Sequence, residues 1–204
     1  IFFWATVSIG AIACGLNGWW KGSEAMKAIE DADPKLIVAD QKRFDRISGE
    51  PTHPVLIFEE MDLANQSEMI DSFIRLDEDE CACLLYTSGT TGAPKGVMTS
   101  HRSMIANSTL SMLQGAAVSQ DSSSKGIDWA KHKPTSLLTS PLFHVSGLSA
   151  GVVTSLFAGS TTLLYAGKFS AHKILELIDK FNVTSWGGAV PTALKRVLDA
   201  ANET

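Results

Sequence analysis

Positive charge is in short supply. The chain has 17 Lys and Arg against 22 Asp and Glu, giving a net charge of −5 and a pI near 5.5. No broad cationic field follows, which excludes nucleic acid and an anionic membrane surface as electrostatic partners. A small anion has to be held locally, by a loop. Cysteine is scarce too: there are three, Cys14, Cys81 and Cys83. The number is odd, and "CAC" lacks the two-residue spacing of a redox pair or zinc knuckle. They read as buried, reduced thiols of a cytoplasmic protein, and no metal site is expected. Internal repeats are absent, and no composition shift marks a domain boundary. With 204 residues, 45% of them hydrophobic, the chain suits a single domain with a sizeable core.

Charge is missing altogether from "IFFWATVSIGAIACGLNGWW" at the start. A hydropathy window would mark a membrane span or a signal peptide there. The stretch has no initiator methionine and no basic flank, contains Gly10, Gly15, Asn17 and Gly18, and ends in a Trp pair with only Lys21 beyond it. We read it as a helix buried on all sides and followed by a turn, with no transmembrane segment. Opening inside such an element suggests a piece of something longer.

Beyond it, "SEAMKAIEDAD" is a helix with Ser23 as N-cap, stopped by Pro34. "KLIVAD" is a strand, "QKRFDRI" a helix and "PVLIF" a strand. In "ANQSEMIDSFIRL", Met69, Phe73 and Leu76 fall at helical spacing, and the acidic "DEDE" before the strand "CACLLY" is a solvated loop. "GVMTS" is a short strand, and "HRSMIANSTLSMLQG" a helix capped by Ser100. Residues from about 115 to 134 are polar, Ser-rich and aperiodic, a mobile surface excursion. Strand "SLLTSP", helix "SGLSAGVVTSLFAG", strand "STTLLYA", helix "SAHKILELIDKFN", strand "TSWGGA" and helix "PTALKRVLDA" complete the chain, the last opened by Pro191. Short strands alternating with longer helices predict an α/β fold with a mostly parallel sheet flanked by helices. Ligands then collect at the carboxyl ends of strands. Two stretches sit at such ends, "TSGTTGAPKG" and "PLFHVSG".

In the first of these, residues 86–97, Gly89, Gly92 and Gly96 let a ligand approach the main chain closely, while Ser88, Thr90 and Thr91 add hydroxyl donors. Lys95 adds a full positive charge, so the stretch reads as an anion nest for a polyphosphate. A Gly/Thr hairpin between two strands is the plainer reading of "GTTG" alone; Pro94 and Lys95 weigh against it. The Walker pattern fails because Pro94 stands five positions after Gly89 and Gly96 follows Lys95. A kinase glycine loop and a dinucleotide turn fail because no two glycines here are separated by one residue.

From Tyr86 to Gly96 the stretch closely resembles the phosphate-binding signature of the adenylate-forming (AMP-binding) superfamily: acyl-CoA and aryl-CoA synthetases, luciferases and peptide-synthetase adenylation domains. "ADPKLIVAD" and "FSAHKILELIDKFNVTSWGGAVPTAL" extend the resemblance over the chain, which looks like an incomplete large N-terminal domain, 1–204, without the C-terminal domain. The resemblance implies ATP-dependent activation of a carboxylic acid through an acyl-adenylate, with Mg2+, then thioester formation with CoA as co-substrate. It gives Thr87, Ser88, Gly89, Thr90, Thr91, Gly92 and Lys95 to the β- and γ-phosphates, with Lys95 the largest single contributor.

His144 in "PLFHVSG" reads on its own as a capped or satisfied histidine. The resemblance places it beside the carboxylate and acyl site, in the branch of acyl- and aryl-CoA synthetases rather than peptide synthetases. Ser146 and Ala150, four apart and so on one helical face, are implied to line the acyl pocket. Both are small, which suits a fatty or bulky acid. His101 and Arg102 are expected in solvent; Trp186, Gly187 and Gly188 border the pocket or pack the core. His53, His132 and His172 have no evident partners in the sequence. The family's adenine, ribose and C-terminal lysine residues have no counterpart here; of the two tyrosines, Tyr86 and Tyr165, neither heads the adenine motif. The piece by itself is therefore expected to be inactive, and apolar surface left uncovered would favour a homodimer. An amino-acid-activating domain and a non-catalytic ATP-binding module stay open as alternatives.

Overall fold

The computed structural model describes residues 1–47, 49, 51–62, 74–87, 94–120 and 134–203, backbone only at 118–120. The chain divides into two compact units, Ile1–His101 and Arg102–Thr204, where the composition had suggested one domain.

In the first unit, β4 (Cys81–Thr87) is the centre of a three-stranded sheet. It pairs in parallel with β1 (Ala13–Gly15) and antiparallel with β5 (Lys95–Ser100). The apolar run "CACLLY" makes it a buried strand, and Ala82, Cys83, Leu85 and Tyr86 all lose their solvent exposure. Helix α2 (Gly22–Ala32) buries Ala28 and Ile29. Its N-cap is two residues before the expected Ser23, at Lys21, whose N–H donates to Glu24 Oε2 at 2.8 Å. It ends where Asp33 turns left-handed, at φ 42°, and its N–H donates to the Ile29 carbonyl ahead of Pro34. A separate parallel pair, β2 (Ile37–Ala39) and β3 (Val55–Ile57), flanks α3 (Gln41–Phe44), which Asp40 caps by accepting from the Arg43 N–H at 2.9 Å.

The charge-free opening is not one buried helix. Its α1 (Phe2–Ser8) buries only Val7, and Trp4 and Trp19 lie exposed. The glycine-bearing half then enters the sheet as β1, because a three-residue strand beside β4 satisfies backbone groups that a turn would leave open.

The second unit is built on β6 (Thr135–Leu138), flanked in parallel by β7 (Thr161–Leu164) and β8 (Ser185–Gly187). Leu137 of β6 meets Ile174 of α7 (Ala171–Lys180) and Val197 of α8 (Pro191–Asn202) in its core. Ser170 caps α7 through the Lys173 N–H, and Pro191 opens α8 as expected. Helix α4 (His101–Gln120) continues past the point where the surface excursion was expected to begin, so 115–120 are helical; the rest of that excursion, 121–133, and most of the helix expected over 64–76 lie outside the described residues. Between β6 and β7, α5 (Val145–Gly147) and α6 (Thr154–Phe157) enclose a π-helical stretch, Leu148–Val153. Among the described residues the parallel strands are therefore spread over three small sheets rather than one. Among the described residues no helix is long and apolar enough to cross a membrane.

Candidate functional site

Strands β4 and β5 are the two sides of the phosphate stretch. Thr87 and Lys95 are the last register pair, and the Thr87 hydroxyl donates to the Lys95 carbonyl at 3.4 Å. Thr87 and Lys95 are thus brought together at the tip of the hairpin, both exposed. The strand expected over "GVMTS" begins one residue earlier, at Lys95, which therefore lies in β5 rather than in the loop. Ser88, Gly89, Thr90, Thr91 and Gly92 lie outside the described residues. Lys95 has no ion-pair partner among the described residues, so its ammonium is available to an anion.

The buried base of this hairpin is Tyr86. Its hydroxyl donates to Asp31 Oδ2 at 2.6 Å, with the Ala28 carbonyl at 3.2 Å, and its ring meets Trp20 edge-on with centroids 5.9 Å apart. Burial, then the bond to Asp31 and that carboxylate's charge, pushes the phenol well above its ordinary value. Asp31 and Trp20 carry no motif, and only the aromatic character of Tyr86 signalled this cluster in the sequence. Cys14 is pushed up to about 11, first by burial and then by Asp31 and Cys83. The three thiols are free, Cys83 buried and the other two half-buried.

At the carboxyl end of β6 in the second unit, His144 is the N-cap of α5. Its Nδ1 accepts from the Ser146 N–H at 3.3 Å and lies 2.9 Å from Ser146 Oγ. A backbone amide can only donate, so Nδ1 is the bare nitrogen and the exposed ring presents Nε2–H. That is a hydrogen-bond donor suited to a carboxylate. The cap reading is met by Nδ1, which leaves Nε2 as the outward nitrogen of an exposed ring. Ser140 Oγ donates to the Gly188 carbonyl at 3.0 Å, and a Cβ placed on Gly188 would lie 3.7 Å from Ser146 Cβ. Residues following β6 and β8 thus converge on Ser146. Trp186 packs toward the core and donates Nε1–H to Thr139 Oγ1 at 3.0 Å.

Ala150 is exposed and falls in the π-helical stretch, so the α-helical spacing that put it on one face with Ser146 does not apply. His101 is half-buried rather than free in solvent, its N–H donating to the Glu80 carbonyl at 3.1 Å. His53, without a partner in the sequence, has its Nε2 3.0 Å from Asp33 Oδ1; that bond lowers the Asp33 carboxyl below its ordinary value. His172 is exposed and His132 lies outside the described residues. No group of three or more His, Cys, Asp or Glu that could hold a metal occurs among the described residues.

Over residues 1–204 the chain matches the family model described as AMP-binding enzyme. It is 30% identical to peroxisomal OPC-8:0-CoA ligase 1 of Arabidopsis thaliana, over 98% of this chain and 36% of that protein. To oxalate–CoA ligase of the same plant it is also 30% identical, over 98% of this chain and 39% of that protein. The chain thus spans little more than a third of the length of these curated relatives. Among solved structures, O-succinylbenzoate coenzyme A synthetase (MenE) from Bacillus subtilis with ATP and magnesium ion is similar at TM-score 0.72 and 29% identity, over 97% of this chain and 38% of that one. ATP-bound MatB from Rhodopseudomonas palustris is similar at TM-score 0.73 and 29% identity, over 96% and 37%.

Proposed function

The chain belongs to the AMP-binding enzyme family, and on that premise we propose that the protein carrying it activates a carboxylic acid with ATP and passes the acyl group to CoA. A carboxylate oxygen attacks the α-phosphorus of ATP, the bond to pyrophosphate breaks, and an acyl-adenylate forms. The CoA thiol then attacks the acyl carbonyl and AMP departs. Negative charge grows on pyrophosphate in the first step, and a cation aimed there favours the transition state over the ground state. The observation that carries this reading is Lys95, exposed and unpaired among the described residues, beside Thr87 at the tip of the β4–β5 hairpin.

In this reading Thr87 and Lys95, with Ser88, Gly89, Thr90, Thr91 and Gly92, hold the β- and γ-phosphates. Mg2+ arrives with ATP, held largely by phosphate oxygens and water. His144 offers Nε2–H to the acid carboxylate, and Ser146 and Ala150 line the acyl side. Their small side chains favour a fatty acid over a compact one. The free thiols suit a reducing compartment such as the cytoplasm.

Acid-dependent exchange of pyrophosphate into ATP by the full-length protein tests the assignment. Lys95→Ala should lower the exchange rate by about a hundredfold or more, as losing one aimed donor does elsewhere. Near wild-type exchange would remove Lys95 from the site. A panel of fatty, aromatic and dicarboxylic acids tests the substrate class, and activation of acetate alone would overturn the roomy acyl pocket.

A further inference from the structure

The residue facing the strand neighbour of Lys95 comes from the opposite strand. Tyr86 faces Gly96 in the β4–β5 register, and its ring occupies the space above that glycine. A Cβ on Gly96 would lie 3.3 Å from Tyr86 Cζ and 2.9 Å from Leu84 Cδ1. Glycine at 96, the residue after Lys95 in β5, therefore lets the tyrosine lie across the hairpin. The far end of the ring is fixed as well. Asp31 and Ala28 both belong to α2, so the hydroxyl ties the hairpin to that helix, while Trp20 holds the ring's edge. The bond to Asp31 is short and ends on a carboxylate, the stronger class of hydrogen bond, and it sits where Tyr86 is 6% exposed.

We propose that Tyr86 and Asp31 are a positioning pair for Lys95: their hydrogen bond holds the ring over Gly96 and thereby fixes the strand from which the lysine reaches the ATP phosphates. This rests on the adenylation reading above. Packing needs only the ring, which phenylalanine supplies. The hydroxyl adds alignment between α2 and the hairpin, so its loss is felt at the phosphates and not at the acid.

Tyr86→Phe and Asp31→Leu, singly and together in the full-length protein, test the pair. Each single variant should raise the KM for MgATP in pyrophosphate exchange about three- to tenfold, part of the worth of one such bond, and leave the KM for the acid unchanged. The double variant should match the singles, because both remove the same interaction. An unchanged KM for MgATP in the two singles, or MgATP and acid constants rising together, would overturn the proposal, whatever happens to the melting temperature. Titration of the same proteins with MgATP separates this from the reading beneath it. Wild type that binds MgATP but exchanges no pyrophosphate with any acid defeats adenylation alone, and the shift in Kd then decides the pair. Wild type that binds no MgATP overturns both.

Discussion

Gly147 shows how one missing Cβ positions a side chain of the candidate site. A Cβ there would meet the Pro141 carbonyl oxygen at 2.1 Å and the Ser140 carbonyl oxygen at 2.9 Å, both backbone atoms that cannot swing aside. The Gly147 N–H also donates to the His144 carbonyl at 3.0 Å, so displacing this residue displaces the histidine. Gly115, within α4, has nothing within 4 Å of its Cβ position. The same substitution should therefore have opposite signs at the two sites. Gly147→Ala should cost about 3 kcal/mol, at the upper end for forced overpacking. Gly115→Ala should gain about 0.5–1 kcal/mol from helix propensity. Urea midpoints of the two variants check this, and a Gly147→Ala protein as stable as wild type would refute the close approach.

At the scale of elements, the sequence was most legible where a local cause is sufficient. Pro191 announces α8, and α7 follows directly on the Ser170 that heads its expected span, because first-turn and cap positions need no distant partner. The antiparallel pairing of Thr87 with Lys95 was not legible, since Pro94 and Lys95 weigh against a hairpin between two strands there. What escaped depends on partners far along the chain: β1 exists because β4 offers it an edge, and Tyr86 finds Asp31 across 55 positions. The π-helical stretch escaped for the same reason. It is held by α4, whose buried Ser108 lies 3.2 Å from Thr154 Oγ1, while Thr154 donates to the Ser149 carbonyl at 3.0 Å and Asn107 Nδ2 donates to Ser149 Oγ at 3.3 Å. None of these hydroxyls falls in a recognisable motif. Thr154→Val keeps the shape and deletes the hydroxyl that joins two of these contacts. It should cost about 1–3 kcal/mol, because the buried Ser108 hydroxyl loses this partner, while the Ser149 carbonyl keeps the Thr154 N–H. Chemical denaturation measures that loss, and a neutral result would mean the seam does not hold the π turn.

At the scale of the whole molecule, the two units differ in how alkali should affect them. Cys14, Cys83 and Tyr86 all hold their protons more tightly in the fold than in the open chain, and all three lie in the first unit. For each the leading cause is burial, which disfavours the charged form. The unfolded chain releases these protons near 9.0 for the thiols and 10.0 for the phenol, while folded Cys14 holds its own until about 11. Between those values the native state carries more protons than the unfolded one, so stability falls as pH rises. The contribution is fully present below the unfolded values and is lost on passing through the folded ones. Raising pH from about 8 to about 10.5 should therefore reduce the protection of β4 amides before that of β6 amides, once intrinsic exchange rates are divided out. Hydrogen exchange followed on peptides from the two strands makes the comparison within one sample. Tyr86→Phe should lessen the alkaline loss in β4, since the group that titrates is gone while the ring remains. Equal loss of protection in both strands would place the alkaline sensitivity outside these three groups.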